Sequence, residues 1–348
     1  MNAALRQPVL VVVDEQSKVG DARRQAAAWA EELGFDETVC GKAALVATEA
    51  ATNLLKHSLA GALIVHSPGP FEDRIALEIL ALDAGPGMGD LARCLNDGYS
   101  TTGTSGNGLG AIRRLADSFD IYSQPEIGTA VWARFERAEP KNHGPGRSPR
   151  HKIGVVRLPI AGESVCGDDW AMAERDGYSF LMMVDGLGHG FLAAEAASLA
   201  VTVFRAQSTL EPEAIIRATH AALRSTRGAA IAVARFDTSR GVLRYAGVGN
   251  ISSVLVNIDD GQTTSLISHN GTVGYTMSRV QTLEYPWTGD SLLLMHSDGL
   301  ATRWNLGRYP GICRKEPGLI AGVLYRDHRR SRDDVTVVVA RQEGRRPP

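Results

Sequence analysis

The sequence predicts a two-domain α/β (α+β) protein. Its 348 residues favour two domains over one, because domains usually hold 100–200 residues. Apolar runs of strand length alternate with alanine- and leucine-rich runs of helix length in both halves. Between the halves, residues 136–152 are polar, contain three prolines and two glycines, and show no apolar period. We therefore predict domains at 1–136 and 153–348, joined by a linker at 137–152.

The bulk composition, 44% hydrophobic and 22% charged residues, is that of an ordinary soluble globular protein. A formal net charge of −2 gives no basic surface, so we expect neither nucleic acid nor a membrane as a partner. The four cysteines are scattered without C-x-x-C pairing, which argues against zinc and favours a reduced, cytoplasmic setting. The N-terminal apolar run, Val9 to Val13, is too short for a signal peptide or a membrane span.

Strands and helices alternate along the first half. Asp36 fits the N-cap position of a helix, with Glu37 in the first turn. The expected strands are 8–13, 63–65, 74–82, 117–122 and 129–135, and the expected helices are 22–33, 36–58 and 109–117. Together they predict a mixed sheet covered by helices on one side.

The stretch from Asp83 to Gly110 has the strongest functional signal in this half. It reads D-A-G-P-G-M-G-D after an apolar strand and G-N-G-L-G before a helix. Gly85 and Gly87 permit close backbone approach to a ligand beside the Asp83 acceptor. The second glycine group opens a helix whose free N–H groups favour phosphate. Either group alone is typical of an ordinary turn, but the two in this order predict a nucleotide pocket.

Two polar residues, Glu49 and Asn53, lie four apart on the second helix and therefore share one face. The helix is otherwise apolar, from Ala43 to Ala47, and polar groups on a buried helix need a partner or a function. A solvated polar stripe is the alternative interpretation. His57 continues the face by one turn, where a helix-end hydrogen bond is the simpler role.

These motifs, Glu49-x-x-x-Asn53, Asp83-x-Gly85-x-Gly87 and Gly108-Leu109-Gly110, resemble the GHKL (histidine-kinase-like) ATPase family. The resemblance covers residues 8–136, and segments 97–101 and 108–117 are similar to RsbT-type switch kinases. It implies a GHKL (Bergerat) α/β sandwich that binds ATP and Mg²⁺ beneath a mobile lid at 89–105.

By this resemblance, Asn53 would hold the Mg²⁺ and Glu49 would be catalytic, orienting or deprotonating the attacking hydroxyl. Asp83 would read the adenine amino group. The nucleotide-binding set that the resemblance implies is Asn53, Asp83, Gly85, Gly87, Gly106, Gly108, Leu109, Gly110 and Thr129.

The second half repeatedly places aspartates at the ends of apolar strands. The expected strands are 153–158, 180–184, 230–236, 242–248, 253–257, 291–296 and 335–340, and the expected helices are 191–207 and 212–224. The aspartates at these ends are Asp168, Asp185, Asp298, Asp333 and Asp334. If the strands share a sheet, the clustered carboxylates need hard cations such as Mg²⁺ or Mn²⁺. Two such ions about 3.5–4 Å apart can activate a water for hydrolysis, whereas ordinary Asp-Gly turns are the alternative.

The motifs G-D-D-W, V-D-G-L-G-H-G, G-V-G-N, H-S-D-G and R-D-D-V-T resemble the SpoIIE/RsbX branch of the metal-dependent (PPM) Ser/Thr phosphatases, over residues 153–341. The resemblance implies a PPM-type α-β-β-α sandwich that binds two Mn²⁺ or Mg²⁺ ions. The implied metal ligands are Asp168, the catalytic Asp185, the Gly186 carbonyl, Asp298 and Asp333. Asp169 and Asp334 remain alternatives to Asp168 and Asp333. For His189, a turn role is favoured over general acid catalysis.

Together the resemblances imply a bifunctional bacterial regulator with a serine kinase domain and a phosphoserine/phosphothreonine phosphatase domain. They imply a STAS-domain antagonist or stressosome-like protein as partner, and a sigma factor further downstream. Two alternatives stay open. The first domain could be a non-catalytic ATP sensor that gates the phosphatase, or an anti-sigma-factor binding module fused to it.

Overall fold

The structure, a computed structural model, describes residues 7–58, 61–68, 74–94, 108–138 and 151–343. The chain divides into two compact units. Residues 1–146 and 318–326 form the first unit, and residues 147–317 and 327–348 form the second. Most of the predicted linker, residues 139–150, lies outside the described residues. No helix within the described ranges is both long and apolar enough to cross a membrane.

The first unit is built on one five-stranded sheet with the strand order β1-β2-β3-β5-β4. Its strands are β1 (Val9–Val13), β2 (Gly61–His66), β3 (Arg74–Asp83), β4 (Ser118–Gln124) and β5 (Gly128–Ala138). Its helices are α1 (Gln16–Glu32), α2 (Glu37–His57), α3 (Leu91–Cys94) and α4 (Gly108–Leu115). Every pairing in this sheet is antiparallel, so the prediction of a mixed sheet was wrong.

The helices of this unit pack on one face of the sheet through small and aliphatic side chains. Ala22, Ala26 and Trp29 of α1 and Ala47 of α2 are buried against the strand residues that point the same way, such as Ile79. Helix α2 begins as predicted, because the Asp36 side chain accepts a 2.9 Å hydrogen bond from Val39 N. Helix α1 starts six residues before the predicted position, where Val19 adds a buried apolar contact.

The other face of the sheet holds a buried ionic cluster. Glu78 on β3 is fully buried, and its Oε1 accepts a 2.8 Å hydrogen bond from Arg134 Nη1 of β5. His66 Nε2 of β2 lies 3.4 Å from the other oxygen of Glu78. Although burial alone would raise the pKa of Glu78, the contacts with His66 and Arg134 hold it below its ordinary value.

The second unit contains two five-stranded antiparallel sheets, ordered β15-β10-β9-β8-β7 and β12-β11-β16-β17-β6, and a small hairpin, β13-β14. The strands are β6 (His151–Leu158), β7 (Asp168–Arg175), β8 (Tyr178–Gly186), β9 (Ala229–Asp237), β10 (Val242–Val248), β11 (Ser252–Asn257), β12 (Thr263–Ser265), β13 (Gly271–Thr272), β14 (Thr276–Met277), β15 (Leu283–Pro286), β16 (Ser291–His296) and β17 (Val335–Gln342). The helices of this unit are α5 (Phe191–Gln207) and α6 (Pro212–Ala222). The last helix, α7 (Pro317–His328), belongs mainly to the first unit through residues 318–326.

Helices α5 and α6 cover the first of these sheets. Ala197, Phe204 and Ile216 are buried with Met182 of β8 and Val233 of β9 in one apolar cluster. The α/β fold class and the PPM-type sandwich predicted for this half are therefore confirmed. The same arrangement brings the first residue of β7 beside the end of β8, which is where the aspartates lie.

Candidate nucleotide and metal sites

Three residues of the predicted kinase site, the catalytic Glu49 and the nucleotide-binding Asn53 and Gly108, meet where α2 passes the first turn of α4. Glu49 and Asn53 are half-buried on α2. A β-carbon built on Gly108 would lie 3.1 Å from Glu49 Oε2 and 3.3 Å from both Asn53 side-chain atoms, Oδ1 and Nδ2. The absence of a side chain at Gly108 therefore keeps the polar face of α2 open next to the N–H groups that begin α4.

Asp83, at the end of β3, is held by two backbone amides. Its Oδ1 accepts hydrogen bonds from Gly85 N at 2.8 Å and from Thr129 N at 3.2 Å. Burial raises the pKa of Asp83, while the two amide contacts oppose that rise. Thr129, which sequence motifs could only suggest, thus lies beside the predicted adenine-reading carboxylate.

The close backbone approach at Gly85 and Gly87 involves the protein itself. A β-carbon at Gly85 would come within 2.6 Å of the His57 carbonyl oxygen, and one at Gly87 would collide with the Gln124 carbonyl. Gly87 also has a φ of +67°, a region that favours glycine. These glycines therefore fold the loop tightly under Asp83, whereas the prediction gave them close approach to a ligand.

Of the other residues predicted to bind nucleotide, Leu109 and Gly110 lie in α4 and Gly106 lies outside the described residues. Gly110 is buried and Leu109 packs against the apolar core of the unit, so both anchor α4. Most of the predicted lid, residues 95–105, also lies outside the described residues.

In the second unit, Asp168 and Asp185 lie directly opposite each other on β7 and β8. Asp168 is buried, and its Oδ2 accepts a 2.6 Å hydrogen bond from Ser297 Oγ. Burial raises the pKa of Asp168 to about 7, against the lowering effect of its hydrogen bond with Ser297. Asp169, the alternative ligand, instead lies 3.7 Å from Arg157 Nη1.

The pKa of Asp185 is raised even further than that of Asp168. Burial, followed by the charges of Asp168, Asp298, Asp333 and Asp334, raises its pKa to about 9. The five carboxylates are thus close enough to repel one another. Within the described part of the chain, no group of three or more His, Cys, Asp or Glu side chains is arranged closely enough to hold a metal ion. Oxygen donors and mutual repulsion nevertheless fit hard divalent cations.

Asp298 follows β16 and lies at the edge of the cluster. Its Oδ2 accepts a 2.8 Å hydrogen bond from Asn250 Nδ2, and burial followed by the charge of Asp333 raises its pKa. Arg330 donates from its backbone N to Gly299 O at 2.7 Å, and from Nη1 to Asp298 O at 3.3 Å. The turn that presents Asp298 is therefore held from two directions.

Asp333 and Asp334 are adjacent but have different surroundings. Asp334 is buried, and its two oxygens accept 2.7 Å hydrogen bonds from Ile160 N and Gly167 N. Asp333 is half-buried and lines a cleft together with Asp298. Asp334 therefore ties β6 and the Gly167 turn to β17, which leaves Asp333 as the ligand candidate.

The residues around Asp185 support its loop. Any side chain at Gly186 would collide with the Ala193 carbonyl of α5, which fixes the D-G motif. His189 Nδ1 lies 2.7 Å from Glu163 Oε1, a contact that fits the predicted turn role. Sequence reasoning assigned no role to Ser297 or Asn250, and it considered Asp334 only as an alternative metal ligand. The signal available for Ser297 and Asn250 was that each lies inside a quoted motif.

Two known protein families match separate parts of the chain. The histidine kinase-like ATPase domain family matches residues 12–135, and the stage II sporulation protein E (SpoIIE) family matches residues 175–343.

Two proteins of Bacillus subtilis (strain 168) are similar to separate parts of the chain. The serine/threonine-protein kinase RsbT is 32% identical over 104 residues, which are 30% of this chain and 77% of RsbT. The phosphoserine phosphatase RsbX is 25% identical over 146 residues, which are 42% of this chain and 73% of RsbX.

A solved structure described as "The bacterial stressosome: a modular system that has been adapted to control secondary messenger signaling" has 28% sequence identity and a TM-score of 0.51. The similarity covers 56% of this chain and 100% of that one.

Proposed function

The chain belongs to the histidine kinase-like ATPase family in its N-terminal half and to the SpoIIE family of PPM phosphatases in its C-terminal half, and we propose that it is a bifunctional switch regulator. Its first domain phosphorylates a serine or threonine of a partner protein, and its second domain removes that phosphate. The observation that carries the proposal is that each unit brings together side chains suited to one of the two reactions. Glu49 and Asn53 lie beside α4 in the first unit, and the aspartates lie around Asp185 in the second.

In the kinase half, Mg·ATP supplies the phosphoryl group when bound. Asn53 would hold the Mg²⁺, and Glu49 would orient the attacking hydroxyl and accept its proton. Both backbone amides at Asp83 bind the same oxygen, Oδ1. The second oxygen can therefore accept a hydrogen bond from the adenine amino group.

In the phosphatase half, two Mg²⁺ or Mn²⁺ ions, when bound, supply Lewis acidity and lower the pKa of water. Asp168, Asp185, Asp298, Asp333 and the Gly186 carbonyl would hold them. The carboxylate-rich, half-buried setting supports this role, because the cations would relieve the repulsion that raises the pKa of Asp185.

The proposed partner is a small STAS-domain protein of a partner-switching or stressosome-like system. Similarity to a serine/threonine kinase, to a phosphoserine phosphatase and to a stressosome structure supports this choice. Both domains would act on the same residue of this partner, because joining them on one chain raises their effective concentration around one bound protein.

The test uses the full-length protein, ATP, Mn²⁺ and Mg²⁺, and each STAS protein encoded near its gene. Asp185→Asn should drive the partner to stable phosphorylation, detected by mass spectrometry. Glu49→Ala should strip phosphate from pre-phosphorylated partner, and the wild type should settle between with continuing ATP turnover. The control is Asp176→Asn, in the β7–β8 turn at the far end of the hairpin from Asp185.

Other outcomes point to the alternatives. The protein would be a nucleotide-gated phosphatase if two results came together. A non-hydrolysable ATP analogue would change the rate of dephosphorylation, and no variant would phosphorylate the partner. If Asp185→Asn phosphorylates a protein that Glu49→Ala leaves untouched, the two domains serve different partners and the shared switch is wrong.

A further inference from the structure

A cleft of about 580 Å³ opens beside the aspartates of the second unit. Its lining combines two acidic side chains of the candidate metal site with a short basic segment. The lining residues are Asp298, Arg329, Arg330, Ser331, Arg332 and Asp333. Three arginines within four positions give the cleft a positive side next to the residues that would hold the cations.

The arginines of this segment differ in what they already do. Arg330 is used to hold the Asp298 turn, through its backbone N and its guanidinium. Arg329 forms an isolated antiparallel bridge with Leu300, so its backbone is part of the framework. Arg332 is exposed, lines the cleft and immediately precedes Asp333. Its guanidinium is therefore the one best placed to meet a ligand.

Charge balance indicates which ligand that is. The four carboxylates proposed as ligands balance two divalent cations, and Asp334 adds a fifth carboxylate nearby, so the loaded site has little net attraction for a phosphate dianion. A guanidinium keeps its charge at every physiological pH and can bind two phosphate oxygens at once.

We propose that Arg332 binds the phosphoryl oxygens of the phosphoserine or phosphothreonine substrate at the mouth of the metal site. The segment Arg329–Arg330, tied to Gly299 and Leu300, positions it. This inference rests on the proposed phosphatase function and adds the residue that recognises the phosphate.

The test compares Arg332→Ala and Arg332→Lys with a matched control, Arg175→Ala. Arg175 is also exposed, but it lies at the turn end of the β7–β8 hairpin, away from Asp168 and Asp185. Three quantities are measured on the Mn²⁺-loaded full-length protein. They are the KM for p-nitrophenyl phosphate, the KM for a phosphoserine peptide, and the dissociation constant of inorganic phosphate by calorimetry.

Loss of one charge-assisted contact to phosphate should raise all three constants about tenfold in Arg332→Ala. The Mn²⁺ affinity should change little, because Arg332 is not a metal ligand. Arg332→Lys should recover part of the loss, since it keeps the charge but not the paired geometry. Arg175→Ala should match the wild type.

Two results would overturn the inference. A higher KM for the peptide alone, with p-nitrophenyl phosphate and inorganic phosphate unchanged, would mean that Arg332 contacts the protein part of the substrate. An equal loss of Mn²⁺ affinity would mean that the residue only supports the metal loop. If the wild type hydrolyses neither substrate, the proposed phosphatase function fails, while the calorimetric comparison of phosphate binding still decides the role of Arg332.

Discussion

Ser297 Oγ donates a 2.6 Å hydrogen bond to Asp168 Oδ2, and both side chains are buried. Ser297 Oγ in turn accepts a hydrogen bond of 3.0 Å from Thr336 N of β17. The two bonds link β16 and β17 to the first residue of β7. The bond from Ser297 favours the charged form of Asp168 and opposes the effect of burial on its pKa.

Ser297→Ala should therefore weaken metal binding. Without the hydroxyl, the pKa of Asp168 rises further and its carboxylate loses orientation. Removing a group that orients a ligand typically lowers metal affinity about 10–100-fold. Calorimetric titration with Mn²⁺ measures the effect. Ser291→Ala, at the other end of β16 where the hydroxyl contacts Thr288, is the control and should bind Mn²⁺ like the wild type. Equal affinity in both variants would exclude an orienting role for Ser297.

The adjacent pair Asp333 and Asp334 gives a second test, because the same substitution should have different effects. Asp334→Asn leaves a single acceptor oxygen for the amides of Ile160 and Gly167, so one buried N–H loses its partner. That should cost about 1–3 kcal/mol of stability. Asp333→Asn should instead leave thermal stability unchanged and lower Mn²⁺ affinity, with activity recovered at high Mn²⁺. The measurements are thermal unfolding in EDTA and activity against Mn²⁺ concentration. The reverse pattern would make Asp334 the ligand.

This pair also illustrates the limits of sequence reasoning. The R-D-D motif predicts a carboxylate at the start of β17, but two neighbouring aspartates differ only in which backbone amides reach them. Those amides come from residues more than 160 positions away, a tertiary arrangement that no local pattern encodes.

The fold was predicted best where one element has a strong apolar pattern of its own. Phe191–Gln207 and Ser291–His296 have the predicted bounds, because both are bordered by clear turn residues. Helix α7 was not predicted, since it contains Gly318 and Gly322, which lower helix propensity. The mixed sheet was wrong because strand direction depends on how the connecting helices return the chain, and that is a property of the whole fold.

A pH-dependent prediction concerns the buried Glu78 of the first unit. Its folded-state pKa is lowered, so the stabilisation that it provides is present above its ordinary value of 4.5 and is lost as pH falls through the folded-state pKa. Glu78→Gln leaves Arg134 with only Glu136 as a charged partner in a mostly buried position. The expected cost at neutral pH is about 3 kcal/mol.

Hydrogen exchange of the β3 amides in the full-length protein measures this cost locally. In the wild type, the β3 amides should lose protection from exchange as pH falls below the ordinary pKa of a glutamate, 4.5. In Glu78→Gln, these amides should already be less protected at neutral pH, and their protection should change less with pH. Glu126→Gln, at the exposed β4–β5 turn, is the matched control. Parallel pH curves for the wild type and Glu78→Gln would show that another group causes the acid sensitivity.

The last prediction separates the roles of Glu49 and Asn53, which share one face of α2 beside Gly108. Asn53→Ala should abolish binding of Mg·ATP, because the phosphates dock through the ion that Asn53 would hold. Glu49→Ala should keep ATP affinity and lower the phosphorylation rate about 10²–10⁴-fold, as expected for a general base.

Thr48→Ala is the control, since the Thr48 hydroxyl donates a hydrogen bond to Ala44 O within the helix. Calorimetry gives ATP affinity, and single-turnover phosphorylation of the partner gives the rate. If Glu49→Ala loses ATP affinity as severely as Asn53→Ala, Glu49 is part of the binding site and the base must be sought elsewhere.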